Sequence, residues 1–343
     1  MTHPNSTTLS GKRIRLADIA QQLGISTATV SKVVNGRSDV APDTRARVRS
    51  ALDSAGYYRN AGTRPSAALL DVIFERLDNV WGLEVMIGVE QEVREHGIGI
   101  VITEGGKSPK SLSAWVDAVI ARNPIGAILV ISDLSDSDTD RLRRSGIPCV
   151  LLDPSGDPNP ITASVRSDNW SGALTATRHL IELGHRTIGI ITGPMNMTCS
   201  RARLDGYRAA NEEAGIAFNP SLCIEGEFTM TSGQECAREL LDRPNRPTAI
   251  FACNDLMAMG VYEAARQLNV RIPEDLSVIG FDDVQTAAFM GPALTTVHQP
   301  IREMSMQAVR MLLQMRDGHH QNGGVIMPTS FIIRGSTASP TTL

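Results

Sequence analysis

Three polar side chains stand directly after apolar runs that are typical of buried strands. Asn254 and Asp255 follow the run AIFAC and open a helical stretch, and Asp282 follows the run VIGF. Because the carboxyl ends of parallel strands meet at one edge of a sheet, we expect these groups to face a common cleft. Amide and carboxylate groups bind vicinal hydroxyls, so the chemistry indicated is the binding of a polyol. Each residue could instead cap a helix or carry a surface charge.

Catalysis, metal binding and cofactor binding have little support in the same sequence. The seven histidines are scattered, and no serine or cysteine stands in a GxSxG elbow. His319 and His320 lack helical ligand spacing, so we expect an exposed loop there and no metal site. No GxGxxG follows a strand, and EGGKS lacks the P-loop spacing, so no nucleotide cofactor is predicted. We therefore predict that the protein is not an enzyme.

The composition is that of a globular protein with more than one domain. The 343 residues are 42% apolar, and no run of about eighteen apolar residues indicates a membrane span. The polar N-terminus lacks the apolar centre of a secretory signal. Five cysteines never occur as CxxC, which favours reduced thiols and a cytoplasmic location.

Charge is distributed unevenly along the chain. The net charge is −4, but residues 1–66 contain ten Lys and Arg against four acids. That segment therefore carries +6 and the remainder carries −10. A basic module attached to an acidic body indicates a polyanionic partner for the first sixty residues, although a merely solvated charged face is the alternative.

The stretch LADIAQQLGISTATVSKVVNG predicts two short helices joined by a tight turn. A first helix over about residues 16–23 ends at Gly24, and Ser26 or Thr27 can cap the second. A third helix is predicted from about Pro42 to Ala55, which completes a helix-turn-helix. The second helix exposes STATVSK, whose short polar side chains allow close approach to base edges in a major groove. Solvent-exposed Ser and Thr on a helix are common, so this face alone does not decide the function.

The run RLADIAQQLGISTATVSKVVNGRSDVAPDTRARVRSALDSAGY resembles the DNA-binding headpiece of the lactose/galactose repressor (LacI/GalR) family of bacterial transcriptional regulators. The resemblance implies that Thr27, Ala28 and Lys32 read bases, and that other residues of the motif hold phosphates. Lys32 stands where arginine is usual, which replaces a bidentate guanine contact by a single flexible cation. The predicted DNA-contacting residues are Ser26, Thr27, Ala28, Thr29, Ser31, Lys32, Asn35 and, in the linker, Arg64.

The linker YYRNAGTRPSAALLDV departs from the family pattern. Relatives commonly carry a hinge helix there with a leucine that wedges into the minor groove. Here Gly62 and Pro65 disfavour a helix, and Ser66 stands at the leucine's position. Arg64 in an extended arm could lie in a narrow minor groove, and a plain flexible linker is the alternative.

From Leu70 onward, short apolar runs alternate with helical stretches in two series. This pattern predicts parallel sheets buried on both faces, arranged as two lobes with a cleft between their strand ends. The region resembles the periplasmic-binding-protein-like core (type I) of the same family. The expected fold is therefore a small all-α headpiece followed by an α/β core of two doubly wound parallel-sheet lobes. We expect the chain to cross between lobes near Ser167–Trp170, His298–Ile301 and Met327–Ser330.

The predicted domains follow from that resemblance. They are a disordered tail over 1–13, a helix-turn-helix domain over 14–58, a linker over 59–68 and an effector-binding and dimerisation domain over 69–338. Within the last domain, the N-lobe is expected over about 69–167 and 299–328, and the C-lobe over about 168–298 and 329–338.

The resemblance also implies which residues line the cleft. Arg201, in SRARLDGY, is expected at the family's ligand-binding arginine, and Trp81 could be a stacking platform for a sugar ring or could pack internally. The predicted ligand-binding residues are Asn79, Trp81, Asp153, Arg201, Phe228, Asn254, Asp255 and Asp282.

The function predicted is that of a dimeric, sequence-specific transcriptional repressor in the bacterial cytoplasm, associated with the nucleoid. It would bind a pseudo-palindromic DNA operator as a homodimer and respond to a small effector. The effector expected is a sugar or oligosaccharide, and a nucleobase is the alternative. The alternative is a DNA-binding regulator without a small-molecule effector, controlled by a protein partner or constitutive. A carbohydrate-binding or carbohydrate-processing protein that acts away from DNA is a third, less favoured interpretation.

Overall fold

The computed structural model of the chain describes residues 16–34, 40–54, 68–77, 79–105, 109–130, 134–154, 163–319 and 323–341. The chain divides into two compact units, residues 1–66 and residues 67–343. The predicted tail 1–13, the linker 59–68 apart from residue 68, Asn35, Arg64 and His320 lie outside the described residues. Within the described part of the chain, no helix has both the length and the apolar character needed to cross a membrane.

The first unit contains three short helices, α1 (Leu16–Leu23), α2 (Thr27–Val34) and α3 (Pro42–Ser54). Gly24 ends α1 with a φ of 65°, a backbone conformation that glycine adopts without a steric penalty. Ser26 begins α2, because its Oγ accepts a hydrogen bond from the Thr29 N–H at 3.1 Å. A small apolar core, which includes Ile19, Val30 and Val48, holds the three helices together. The predicted helix-turn-helix is confirmed.

The second unit alternates strands and helices along the chain. Its described strands are β1 (Leu69–Phe74), β2 (Gly99–Glu104), β3 (Gly126–Val130), β4 (Cys149–Leu152), β5 (Ser164–Ser167), β6 (Ile188–Thr192), β7 (Cys223–Glu225), β8 (Ala249–Ala252), β9 (Ser277–Asp282), β10 (Thr295–His298), β11 (Gly324–Met327) and β12 (Ser330–Ile332). Its described α-helices are α4 (Val80–Arg94), α5 (Pro109–Arg122), α6 (Asp136–Arg144), α7 (Asn169–Glu182), α8 (Thr198–Glu213), α9 (Met230–Leu241), α10 (Asp255–Gln267) and α11 (Ile301–Arg316).

These strands form two six-stranded sheets, one in each lobe. The first sheet has the order β11-β5-β4-β3-β1-β2, and the second has the order β12-β10-β9-β8-β6-β7. Neighbouring strands are parallel except that β12 runs antiparallel to β10. Central strands such as β6, β8 and β9 are buried along their whole length, because helices cover both faces of the sheet. The predicted two-lobed α/β core is confirmed.

The chain passes between the two sheets at three places. It leaves the first sheet after β5 and enters α7, which packs against the second sheet. It returns after β10 through Gln299 and Pro300 into α11, and it passes from β11 of the first sheet to β12 of the second through residues 328–329. We call these three passages the hinge. Their adjacency lets the lobes move relative to each other without disturbing either sheet.

Candidate functional site

A cavity of about 510 Å³ lies between the strand ends of the two lobes. This volume is within the range of small-molecule binding sites. From the first lobe it is lined by Phe74, Glu75, Arg76, Asn79, Val80, Trp81, Val130 and Asp153. From the second lobe and the hinge it is lined by Pro194, Met197, Cys199, Arg203, Glu227, Phe228, Thr229, Met230, Asn254, Leu256, Asp282 and Gln299.

Most of the predicted ligand-binding residues meet in this cavity. Six of them line it, namely Asn79, Trp81, Asp153, Phe228, Asn254 and Asp282. Asp153 directly follows β4 and Asp282 ends β9, so the carboxyl ends of two strands, one from each lobe, bring the two carboxylates to the cavity. Whether each residue touches a ligand remains a prediction.

The structure corrects the choice of arginine, because Arg203 lines the cavity and Arg201 does not. Two residues along a helix turn the side chain by about 200°, so the two arginines of α8 face opposite ways. The Arg201 Nη1 donates to the Met195 and Asn196 carbonyls at 3.0 and 2.8 Å, and so holds the loop before α8. The motif SRARLDGY contains both arginines and does not show how the helix is rotated.

Packing of α8 against α7 sets which side chain faces the cavity. A Cβ on Gly206 would overlap the Trp170 carbonyl oxygen of α7, so only glycine permits this approach. Arg203 lies one turn earlier on the same face, and its Nε donates to the Asn169 Oδ1 at 2.8 Å. Its Nη1 donates to the Cys253 carbonyl. The guanidinium is 2% exposed and lies 3.8 Å from the ring centroid of Phe281.

Asp255 is the second correction, because it is fully buried and does not line the cavity. Its Oδ1 accepts from the Thr296 hydroxyl at 2.6 Å, and its Oδ2 accepts from the Val284 N–H at 2.8 Å. Burial raises the pKa of Asp255 well above its ordinary value. Asp255 therefore has a structural role, because it holds β10 and the loop after β9 in place through these two hydrogen bonds.

Asn79 and Asn254 line the cavity but are also engaged as helix caps. The Asn79 Oδ1 accepts from the Gly82 N–H at 2.8 Å at the start of α4. The Asn254 Oδ1 accepts from the Met257 N–H at 2.9 Å, and its Nδ2 donates to the Phe228 carbonyl at 3.2 Å. Both residues therefore act as helix caps as well as lining the cavity. Through these caps they fix the start of α4 and of α10 beside the cavity.

Three cavity residues have a strained backbone. Asp153, Phe228 and Asp282 have φ angles of 48°, 56° and 109°, which residues other than glycine rarely adopt. Such strain costs about 1–3 kcal/mol per residue and concentrates at ligand-binding sites. The fold thus holds these three side chains in place at a cost to its own stability.

Two carboxylates of the cavity, the buried Asp282 and the half-buried Asp153, interact with one guanidinium. The Arg203 Nη2 lies 3.8 Å from the Asp282 Oδ1. Burial raises the pKa of Asp282 to about 7 against the opposing attraction of Arg203. Burial likewise raises the pKa of Asp153, again opposed by Arg203. Burial alone would lower the pKa of Arg203, but Cys199, Asp282 and Asp153 together outweigh it and raise that pKa.

The sequence did not single out Gln299 or Asn169, which complete this polar group. Gln299 is 2% exposed, lines the cavity and donates from Nε2 to the Asp282 Oδ1 at 2.5 Å. Both residues fall within the predicted crossover segments, which was the available signal. The crossover prediction concerns only the path of the chain and assigns no role to these side chains.

The predicted DNA-contacting residues lie on α2 and its cap. Ser26, Thr27, Ala28 and Lys32 are exposed, while Thr29 and Ser31 are half-buried. The Ser26 and Thr29 hydroxyls are 2.8 Å apart and share a hydrogen bond at the start of the helix. Inward-facing Val30 and Val33 fix the rotation of α2, so the polar face points away from the small core.

Comparison with known proteins agrees with this geometry. Residues 15–60 match the family model "Bacterial regulatory proteins, lacI family", and residues 177–337 match a periplasmic binding protein-like domain. The transcriptional repressor PurR of Haemophilus influenzae (strain PittEE) is 33% identical over 333 residues, covering 94% of this chain and 98% of PurR. The chain belongs to the lacI family of bacterial regulatory proteins.

Other lacI-family members extend the comparison. The transcriptional repressor CytR of Escherichia coli (strain K12) is 33% identical over 328 residues, which cover 94% of this chain. The lac repressor dimer bound to operator and the anti-inducer ONPF superposes with a TM-score of 0.80 at 28% identity, over 95% of this chain and all of that one. A complex of the regulator CelR with cellobiose gives 0.72 at 31% identity, over 94% of this chain and all of that one. The protein is a lacI-family transcriptional repressor with a DNA-binding headpiece, and not an enzyme.

The two arginines of α8 provide a matched test of the cavity geometry. Arg203→Met leaves the buried Asp282 carboxylate without its cation, so we expect a loss of about 3–5 kcal/mol in the free energy of unfolding. Arg201→Met removes hydrogen bonds at a partly exposed position and should cost about 1 kcal/mol. Urea unfolding followed by circular dichroism measures both. Equal losses in the two variants would contradict the assignment of Arg203.

Asp282 should make stability depend on pH. Its pKa in the folded protein lies above that of the unfolded chain, so its contribution is present at low pH and is lost as pH rises through about 7. We expect the difference in unfolding free energy between the wild type and Asp282→Asn to fall by about 2 kcal/mol from about pH 5 to about pH 8. A difference that stays constant over this range would show that Asp282 is ionised throughout.

Proposed function

We propose that this repressor binds a neutral, hydroxyl-rich small molecule, a sugar or oligosaccharide, in the cavity between its lobes. The observation that carries the proposal is a pair of carboxylates, the half-buried Asp153 and the buried Asp282, which line the cavity from opposite lobes and both interact with Arg203. Carboxylates accept hydrogen bonds from hydroxyl groups, so one polyol can bond to both lobes at once. A ligand of this kind stabilises the closed arrangement of the lobes.

Two further features support a sugar. Trp81 and Phe228 line opposite sides of the cavity and provide flat apolar surfaces for the C–H faces of a pyranose ring. Among similar proteins of known structure, one is described in complex with cellobiose and another, 26% identical, with bound ribose. The alternative, a regulator without a small-molecule effector, does not account for strained backbone at three cavity residues.

The headpiece supports a DNA operator as the second partner. We propose that α2 enters the major groove with Thr27, Ala28 and Lys32 toward the bases, and with Ser26, Thr29, Ser31 and Asn35 near the phosphates. Arg64 is proposed to reach the minor groove from the linker. The uneven charge of the chain, +6 in residues 1–66, favours a polyanion at this end. The site of action would then be the bacterial cytoplasm, at the nucleoid.

A homodimer on a pseudo-palindromic operator fits this proposal, because a two-fold protein binds a two-fold site. The core exposes large apolar side chains on both lobes, among them Ile102 at 47%, Phe289 at 82% and Ile333 at 63% exposure. We propose that side chains of this kind contribute to the subunit interface. The lac repressor, similar over 95% of this chain, is a dimer on its operator. Closure of the cleft would change the spacing of two headpieces and, at about 1–3 kcal/mol of coupling, alter DNA affinity about 5- to 150-fold.

Ligand binding is tested by thermal stabilisation of the full chain against a panel of monosaccharides, oligosaccharides and purines. A ligand at about 100 times its dissociation constant should add about 2.7 kcal/mol to the free energy of unfolding. Asp153→Asn should abolish the shift, because the amide presents one acceptor oxygen where the carboxylate presents two. The control is Asp205→Asn, on the outer face of α8, which should keep the full shift. A panel without any stabilising compound would favour the effector-free alternative.

DNA recognition is tested with operator sequences selected from genomic fragments. Thr27→Ala and Lys32→Ala should each relax preference at one or two base positions, costing about 1–3 kcal/mol for the preferred sequence. Lys32→Ala should also reduce the salt dependence of binding. Glu235→Ala, an exposed change on α9, is the control and should bind as the wild type does. Unchanged sequence preference in both variants would show that α2 is not the recognition helix.

A further inference from the structure

Three buried side chains form a hydrogen-bonded row across the hinge. The Ser167 hydroxyl donates to the Gln299 Oε1 at 2.6 Å, and the Gln299 Nε2 donates to the Asp282 Oδ1 at 2.5 Å. Ser167, Gln299 and Asp282 are 2%, 2% and 5% exposed, so water does not compete for these bonds. We call this row the hinge relay.

The relay joins parts of the chain that belong to different lobes. Ser167 is the last residue of β5 in the first sheet, directly before the first passage of the hinge. Gln299 stands in the second passage, between β10 and α11. Asp282 ends β9 of the second sheet and lines the cavity. The relay therefore runs from the cavity through one passage of the chain to another.

The chemistry of the partners fixes the direction of every bond in the relay. Above about pH 7 Asp282 is ionised and only accepts hydrogen bonds, so the Gln299 amide presents its Nε2 to Asp282. Its Oε1 then faces Ser167, whose hydroxyl is obliged to donate. Any change in the charge or hydrogen bonding of Asp282 thus acts on the orientation of one amide, and through it on the end of β5.

A second connection reaches the same point from the cavity. The Asn169 Oδ1 accepts from the Arg203 Nε at 2.8 Å, and its Nδ2 donates to the Ser167 carbonyl at 3.3 Å. The hydroxyl and the carbonyl of Ser167 are therefore tied to the two members of the Asp282–Arg203 pair. Both charged groups at the cavity are linked to the residue at which the chain leaves the first lobe.

We propose that Gln299 is the positioning residue that transmits the state of Asp282 in the cavity to the hinge, through its amide and Ser167. The proposal rests on the proposed function in one respect, namely that the cavity is where a ligand acts on Asp282. Occupation of the cavity by hydroxyl groups redirects the Asp282 carboxylate, and the Gln299 amide carries that change to β5. The neighbouring charged and titratable groups around Asp282 are Arg203, Asp153, Asp255, Cys199 and Cys253.

Hydrogen–deuterium exchange of the full chain without ligand tests the relay, and does not depend on finding an effector. At about pH 8.5, where Asp282 is ionised, Asp282→Asn keeps the shape of the side chain and removes its charge, which weakens the bond from Gln299. We expect exchange of the backbone amides over 163–168 to rise at least about threefold. In the Gln299→Met background, the factor by which Asp282→Asn raises that exchange should be at least about threefold smaller than in the wild type. An effect of Asp282→Asn that is equal in both backgrounds overturns the proposal.

Gln299→Glu separates the relay from simple packing. A carboxyl group at this position can donate to Asp282 only while it is protonated, so the relay should be intact at about pH 5.5 and broken at about pH 8.5. Relative to the wild type at the same pH, we expect near-normal exchange over 163–168 at the lower pH and faster exchange at the higher. Exchange that differs from the wild type equally at both pH values overturns the proposal.

Two further variants control for misfolding of Gln299→Met and for the loss of a buried hydroxyl in general. Ser167→Ala removes a single hydroxyl and should reproduce the faster exchange over 163–168 even if Gln299→Met fails to fold. Thr177→Val removes a buried hydroxyl on α7 that bonds only within its own helix, so it should leave exchange over 163–168 unchanged. Normal exchange over 163–168 in Ser167→Ala would overturn the relay. If no sugar stabilises the protein but the exchange results agree with the relay, the proposed effector is overturned and the relay is supported.

Discussion

The buried guanidinium of Arg203 is the interaction on which the cavity depends. A cation that is 2% exposed loses its hydration, and only fixed partners make that burial tolerable. The fold supplies Asp282 at one strand end, Asp153 at another, a backbone carbonyl and the Asn169 amide. Burial outweighs the attraction of Arg203 and the hydrogen bond from Gln299, and so raises the pKa of Asp282 to about 7. The cavity is therefore prepared for hydrogen-bond donors from a ligand.

This constraint determines how the surrounding elements are arranged. Gly206 allows α8 to lie against α7 closely enough for Arg203 to reach Asn169. Strained backbone at Asp153, Phe228 and Asp282 turns their side chains into the cavity. Gln299 stands in the hinge and Asn169 directly follows its first passage, so the charged pair is bonded to residues at the segments that bend when the lobes close. Binding chemistry and lobe movement thus share the same few residues.

The two ends of the protein differ in how directly their sequences report their structure. In the headpiece, apolar spacing, Gly24 and the Ser26 cap are local signals, and they predict three helices whose ends agree closely with the structure. In the core, apolar runs predict the strands and the two sheets, because burial on both faces needs only composition. Six of eight predicted cleft residues line the cavity. For Asn254 and Asp282 this follows from their places at parallel strand ends, whereas the other four residues were named through the family resemblance.

The sequence by itself determined the headpiece, the alternation of strands and helices and the strand ends that carry polar groups, since these depend on neighbours within a few residues. Tertiary structure alone decided that Arg203 rather than Arg201 faces the cavity, because packing of α8 on α7 sets the rotation of the helix. It also decided that Asp255 is buried among backbone partners. It placed Gln299 beside Asp282 and Ser167, residues that are 17 and 132 positions away along the chain. Contacts over such separations arise from the packing of whole elements, which no local pattern records.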